Sequence, residues 1–345
     1  FFHFQTTFDL AKQEVTLQLK SEPLMIEFDR DASILAEWTI EKHLDEWTYQ
    51  LKHGKSVHSR RRAAQNLKKF KRKNDKIKAA RALEASLDNT KEFYWVRQSS
   101  AGSLGELKAT KSAAVLIRNL RDKNSRVRTS SASALGNFKG KKVYRALAHT
   151  FEKDDSYYAA AAAVRSYSKV RGKAAMDLVD DALDRKSHYN RIRRAGIWAL
   201  EEIDTDKAFD RVMKETAWGN PDESRSSAAT ALGRMGSGSN TTADRVDDAR
   251  RRLIVLLDDP RFWVRIAAVK GLKALNDPKA IPALKKVVET GIVRRIVRTS
   301  RAAVNHLQKI KDSPSDKNLK KDITDLKRST RELKTRIDQL EKAKK

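Results

Sequence analysis

RVRTSSASALG, residues Arg126 to Gly136, sets an apolar Val127 beside Arg128, follows with small residues around Ala132, and closes on Ala134, Leu135 and Gly136. The same phrase recurs along the chain. Trp95-Val96-Arg97 leads to Ala101, Leu104 and Gly105. Arg191-Ile192-Arg193 leads to Ala195 and Leu200, and Ser224-Arg225 leads to Ala228, Ala229, Leu232 and Gly233. Trp263-Val264-Arg265 leads to Ala267, Ala268 and Leu272. A recurring phrase of this kind is the signature of a repeat architecture, so its period governs every other reading.

With the arginine after the apolar mark as register, the repeats fall at Arg60, Arg97, Arg128, Arg193, Arg225, Arg265 and Arg298. The gaps are 37, 31, 65, 32, 40 and 33 residues. The gap of 65 holds two units, the hidden one being the Ala159 to Val164 helix followed by Arg165. About eight helix pairs result, each joining an outer helix such as Val143 to Phe151 to an inner one that carries the phrase. One pair cannot bury its apolar face alone, so neighbours must stack. Alanine and serine fill the inner helix where backbones approach. Asp88, Asp122, Asp155, Asp184 and Asp259 precede inner helices, where a carboxylate can cap the helix or meet a neighbouring arginine. This is an α-solenoid, closest to the HEAT class.

The totals limit the chemistry. The 345 residues hold 73 Lys and Arg against 45 Asp and Glu, a formal net charge of +28. Such a field favours acidic partners: nucleic acid, an anionic surface or an acidic protein. The chain has no cysteine, which excludes disulfides and thiolate metal sites. No apolar run is long enough to span a membrane, and a cytoplasmic location is expected.

The first fifty residues read differently. Phe2, Phe4 and Thr6 alternate with polar residues, as do Val15, Leu17 and Leu19, and Met25 to Phe28 forms a third short apolar run. Period-two alternation predicts strands. From Ile34 to Leu51 the apolar spacing turns helical. Pro23, Phe28-Asp29, Leu35, the helix from Lys42 to Gln50-Leu51, then Arg60, Ala64 and Leu67, resemble the junction between a β-sandwich and the C-terminal helical array of gluzincin zinc aminopeptidases. That resemblance implies a truncated β-sandwich over 1–30. It further implies missing N-terminal domains with a catalytic zinc upstream of Phe1, and a role here in shaping substrate access or docking partners. This chain carries no HExxH: none of His3, His43, His53, His58, His149, His188 and His306 has the spacing. No catalytic residue, metal ligand or cofactor is therefore assigned within it.

Lys52 to Arg81 holds thirteen Lys and Arg against the single acid Asp75. Arg60, Arg61, Arg62, Lys68, Lys69, Lys71, Arg72 and Lys73 are its anion-binding candidates, suited to phosphate contacts made by charge. A solvated helix face, nucleic acid and other acidic partners all remain open. Basic residues recur at Arg294, Arg295, Arg298 and Arg301. Trp95, Trp198 and Trp263 lie in or beside the phrase and are expected in the core.

Ser313-Pro314 ends the array. Leu319, Leu326, Leu333 and Leu340 then recur every seven residues, with Ile323, Thr330 and Ile337 between them. Leucine at d with β-branched residues at a favours a parallel two-stranded coiled coil. A homodimer or partner helix, and a helix folded back on the array, both fit this pattern. The expected architecture is thus mainly α: a β-sandwich end over 1–30, a HEAT-like α-solenoid over 31–310, and a linker with a coiled-coil helix over 311–345. The other functional reading is a basic HEAT-like scaffold that binds nucleic acid or acidic proteins and dimerises through the zipper.

Overall fold

A computed structural model describes residues 16, 18–35, 38–238, 240–312, 326, 328–330, 333 and 334. Sixteen α-helices form among them: α1 (Leu44–His53), α2 (Val57–Leu67), α3 (Lys73–Asp88), α4 (Tyr94–Leu107), α5 (Ser112–Arg118), α6 (Ser125–Leu135), α7 (Lys141–Lys153), α8 (Tyr157–Arg171), α9 (Met176–Asp184), α10 (Arg191–Ile203), α11 (Asp206–Glu215), α12 (Asp222–Met235), α13 (Ala243–Val255), α14 (Phe262–Leu275), α15 (Ile281–Thr290) and α16 (Arg294–Lys311). They divide into two compact units, Phe1–Val115 and Leu116–Lys345.

Local chemistry starts the helices. The Ser56 hydroxyl accepts from the Ser59 N–H, the Asn124 side chain from Arg126, Thr205 from Ala208 and Thr242 from Arg245. Each satisfies a donor that the first helical turn leaves open. Outer helices bury one stripe, as α7 does through Val143, Leu147, Thr150 and Phe151. Inner helices bury small residues on more than one side: α8 buries Ala159, Ala160, Ala161, Ala163 and Val164. In the first unit α2 packs on α4. In the second, α6, α8, α10, α12, α14 and α16 pack in succession, each also against its outer partner. The tightest approach joins α12 to α14. A Cβ on Gly233 would lie 2.2 Å from the Gly271 carbonyl oxygen, so only glycine fits. Gly233 therefore belongs to a helix and its packing, not to the polar loop that follows.

The repeats are locked by a recurring clamp. Arg128 donates from Nε and Nη2 to Asp154 at 2.8 and 2.9 Å, and from Nη1 to the Asp122 carbonyl at 2.9 Å. Arg225 does the same to Asp259, with both bonds at 3.0 Å, and to the Asn220 carbonyl. Arg60 grips Glu92 at 2.6 and 2.9 Å and the Gly54 carbonyl at 2.8 Å. Arg193 grips Glu215 at 2.8 and 3.0 Å. Asp154 and Asp259 also accept from the backbone N–H of Ser156 and Arg261, so one carboxylate both caps an inner helix and holds the preceding arginine. Hydrogen bonding to Asp154 accordingly raises the Arg128 pKa above its ordinary value.

Two expectations of register shift. The acid that follows α7 is Asp154, not Asp155. The clamp arginine falls four residues after the helix cap at Arg60, Arg128 and Arg225 and three after it at Arg193. Those positions hold Ala159 and Ala160 in α8 and Ile296 and Val297 in α16, so Arg165 and Arg298 stand outside the register.

The predicted strands are not found among the described residues. Met25 to Phe28 forms no strand. Side chains in and beside α1 and α2 take carbonyls of residues 26–30: Lys42 donates to Ile26, Arg62 to Phe28 at 2.7 Å and Ser56 to Arg30 at 2.6 Å. Phe28 packs edge-on against Trp38 at 4.6 Å. The run from Phe2 to Thr7 lies outside the described residues. No helix among the described residues is long and apolar enough to cross a membrane.

Candidate functional site

A groove of about 460 Å³ opens across α6, α8 and α10 in the second unit. Thr129 and Ser133 come from α6. Tyr158, Arg165 and Lys169 come from α8, and Arg191, Arg194, Trp198 and Glu202 from α10. Small residues at Ala161, Ala162 and Ala195 keep its floor low. Positions near i, i+3, i+4 and i+7 of one helix share a face, so α10 presents Arg191, Arg194 and Trp198 together.

The cations are held on aromatic rings. Arg165 lies 5.0 Å and Arg194 5.4 Å from the Trp198 centroid, and Arg191 stands 4.0 Å from that of Tyr158. Such contacts orient a guanidinium while leaving its N–H edge free for an oxyanion. Arg194 donates from Nε to the Ser227 hydroxyl at 3.1 Å. Burial, reinforced by the nearby Arg191, pushes the Arg194 pKa down, with Glu223 opposing. A bound anion would relieve that repulsion. Glu202 is the one acid lining the groove, against Arg165, Lys169, Arg191 and Arg194.

The basic stretch read from the sequence divides. Arg60 is tied to Glu92. Arg61 lies 5.7 Å from the Trp95 centroid. Arg62 donates to Phe28 and contacts His58 at 3.1 Å, and Lys68 pairs with Glu106 at 2.7 Å. Lys69, Lys71, Arg72 and Lys73 are exposed around the turn into α3 and form no ion pair among the described residues. Of the heptad residues, Leu326, Thr330 and Leu333 are helical, with Leu326 66% and Leu333 62% exposed. Leu319, Ile323, Ile337 and Leu340 lie outside the described residues.

The tryptophans depart from expectation. Trp47 is the one deeply buried, while Trp95 and Trp263 are exposed and Trp198 lines the groove. The inner helices are already filled by alanine and leucine, so the rings sit outside and collect arginines: Arg61 on Trp95, Arg295 on Trp263 at 5.0 Å. The groove escaped sequence reading because its residues come from segments about 33 apart. The WVR-like spacing of Tyr158, Arg165, Arg194 and Trp198 to one another gave no local signal.

Stacked helix pairs with this clamp define a helical-repeat solenoid. The family model for HEAT repeats matches residues 44–136, 80–168 and 219–305, more than half of the sequence, and the chain belongs to that family. Among solved structures, the complex of CpcE and CpcF of phycocyanin lyase from Nostoc matches at 18% identity and a TM-score of 0.46, over 80% of this chain and 98% of that one. YibA from E. coli matches at 20% identity and a TM-score of 0.41, over 70% and 95%. Human deoxyhypusine hydroxylase matches at 17% identity and 0.34, over 77% and 96%. No curated protein matches.

These findings overturn the gluzincin resemblance and leave the zinc aminopeptidase reading without support. The HEAT-repeat match begins at residue 44, inside the span that carried the likeness. Arg60, Ala64 and Leu67 serve repeat packing, and the described residues before α1 form no sheet.

Proposed function

We propose that this HEAT-repeat scaffold binds nucleic acid along the α6–α8–α10 groove. The observation that carries the reading is the cluster of Arg165, Arg191 and Arg194 held on Trp198 and Tyr158, with a single acid beside them. Fixed guanidinium forks suit phosphate oxygens, and their counterions gain entropy on release. The open trough favours a polymer over an enclosed small molecule. The rings are already covered by arginine, so recognition is through the backbone rather than through base stacking, and weak sequence preference follows.

The test is the binding of labelled single- and double-stranded oligonucleotides over a salt series. Affinity should fall steeply and linearly in log–log form as salt rises. Absence of binding at low salt would refute the reading. If an acidic protein competes where oligonucleotides do not, the scaffold serves protein instead.

A second reading concerns assembly. Leu326 and Leu333 are seven residues apart, helical and exposed, as a coiled-coil seam requires. Sedimentation of Leu326→Lys with Leu333→Lys should show loss of a dimer that the unaltered chain forms.

A further inference from the structure

The arginine clamp is complete at Arg60, Arg128, Arg193 and Arg225 and stops at Arg265. Arg265 keeps the inner half: Nη1 donates to the Asp259 carbonyl at 3.3 Å, as Arg225 does to Asn220 and Arg128 to Asp122. The outer half grips nothing among the described residues. Its Nε is buried and has no hydrogen-bond partner among the described residues. The register says why. The clamping acids Asp154 and Asp259 are the residues that end an outer helix, and the residue that ends α15 is Gly291. The next position, equivalent to Glu92 as the residue before the inner-helix cap, is Ile292. The place of Glu215, the last residue of its outer helix, is held by Thr290, so a carboxylate is absent from all three places that supply one elsewhere.

The surroundings are not those of a plain terminal repeat. Ile292 is 96% exposed, and Trp263, exposed as well, carries Arg295 on its ring. Arg294, Arg295, Arg298 and Arg301 line an open depression of about 660 Å³ on α16, and none forms an ion pair among the described residues. Capping repeats of solenoids ordinarily turn a neutral or mixed polar face outward. Here a buried guanidinium edge, an exposed isoleucine and a row of unpaired arginines point the same way.

We propose that Arg265 and the α16 arginines dock an acidic protein segment, one of whose Asp or Glu side chains takes the vacant clamp position. The chemistry is that of the completed clamps at Arg60, Arg128 and Arg225: a bidentate carboxylate on Nε and Nη2 of an arginine whose Nη1 is already anchored. Arg265 as a whole is half-buried while its Nε is covered, so a docking carboxylate displaces what covers that edge. Ile292 supplies an apolar contact next to the charge, and the α16 arginines supply attraction at longer range. Carboxylate is favoured over phosphate because the site repeats, position for position, one that this fold fills with Asp or Glu.

The experiment measures binding of a fluorescein-labelled hexaglutamate peptide to the full chain by anisotropy, with a single-stranded oligonucleotide as the second probe. Arg265→Gln should weaken the peptide about tenfold and leave the oligonucleotide unchanged. Ile292→Glu keeps Arg265 and offers an internal carboxylate at the place of Glu92. It should weaken the peptide by a similar factor while raising the melting temperature. Arg165→Gln with Arg194→Gln should do the reverse, sparing the peptide, so this proposal and the groove reading fail separately. Peptide binding that is undetectable in the unaltered chain, or equal in Ile292→Glu, overturns the proposal. So does oligonucleotide binding that depends on Arg265, which would make the site a nucleic-acid contact.

Discussion

Arg225 and Arg194 stand on adjacent inner helices, α12 and α10, each near a tryptophan ring, Arg225 at 5.1 Å from Trp218 and Arg194 at 5.4 Å from Trp198. They do opposite work. Arg225 is closed off by the Asp259 carboxylate, the two side chains being 7% and 3% exposed. Arg194 faces no carboxylate in hydrogen-bond reach, touches Ser227 and has its pKa driven down by burial. Composition cannot distinguish them, since both are arginines a few residues into an inner helix. What separates them is register: α11 ends with Glu215, which takes Arg193, and Arg194, one residue on, is left facing the groove. The count of 73 Lys and Arg therefore overstates what is free to bind: part is paired with acids inside the joints, part is held ready in the groove.

The comparison breaks most readily at the joint. Asp259→Ala leaves Arg225 buried without its counter-charge and should lower unfolding free energy by about 3–5 kcal/mol, measured by urea denaturation. Arg194→Ala should change it by less than about 1 kcal/mol. If the two variants lose equal stability, the division between joint and groove collapses. The next effect reads affinity. Arg165→Gln with Arg194→Gln should weaken oligonucleotide binding about tenfold and flatten the salt slope by about two, with little change in melting temperature. A smaller change is expected from converting Lys69, Lys71, Arg72 and Lys73 together to glutamine, about two- to threefold, because flexible exposed cations are screened and disordered. A larger loss there than in the groove would return the binding surface to the α2–α3 turn.

The smallest effect is a pH dependence. Burial, then the charges of Arg62 and Arg61, hold His58 below its ordinary 6.5, with Asp29 opposing. The unfolded chain therefore takes up the proton more readily than the folded one. Stability is full above that ordinary value and declines as pH falls through it toward the folded pKa. Melting temperatures between about pH 7.5 and pH 5.5 should show the decline, and His58→Gln should flatten it.

The helix pairs were legible because each repeats one phrase, and 3.6-residue periodicity survives small changes in spacing. The clamp was half legible. Asp259 stands where the sequence suggests, but Glu92 and Glu215 replace it at other joints, and adjacent acids such as Asp154 and Asp155 cannot be ranked without backbone geometry. The strand expected at Met25 to Phe28 failed for a physical reason: a short apolar run marks a chain able to be half-buried, but a strand needs a neighbour to pair with. Leu24 and Ile26 remain exposed, and the carbonyls nearby are met by Lys42 and Arg62. The groove was illegible because three helices contribute to it, and nothing in a one-dimensional pattern says that Arg165 and Arg194 share Trp198.

The glycine pair between α12 and α14 has a mechanical meaning. A solenoid stretches or coils by adding small rotations at successive joints. Most joints here have side chains between the helices, and side chains can re-rotamer to absorb a rotation. At Gly233 and Gly271 backbone meets backbone, and a rotation there compresses atoms that have nowhere to go. That link is the stiff one in an otherwise compliant spring. Deformation imposed by a ligand on α6, α8 and α10 would be absorbed before it reached α16, so the two surfaces are free to load and unload independently.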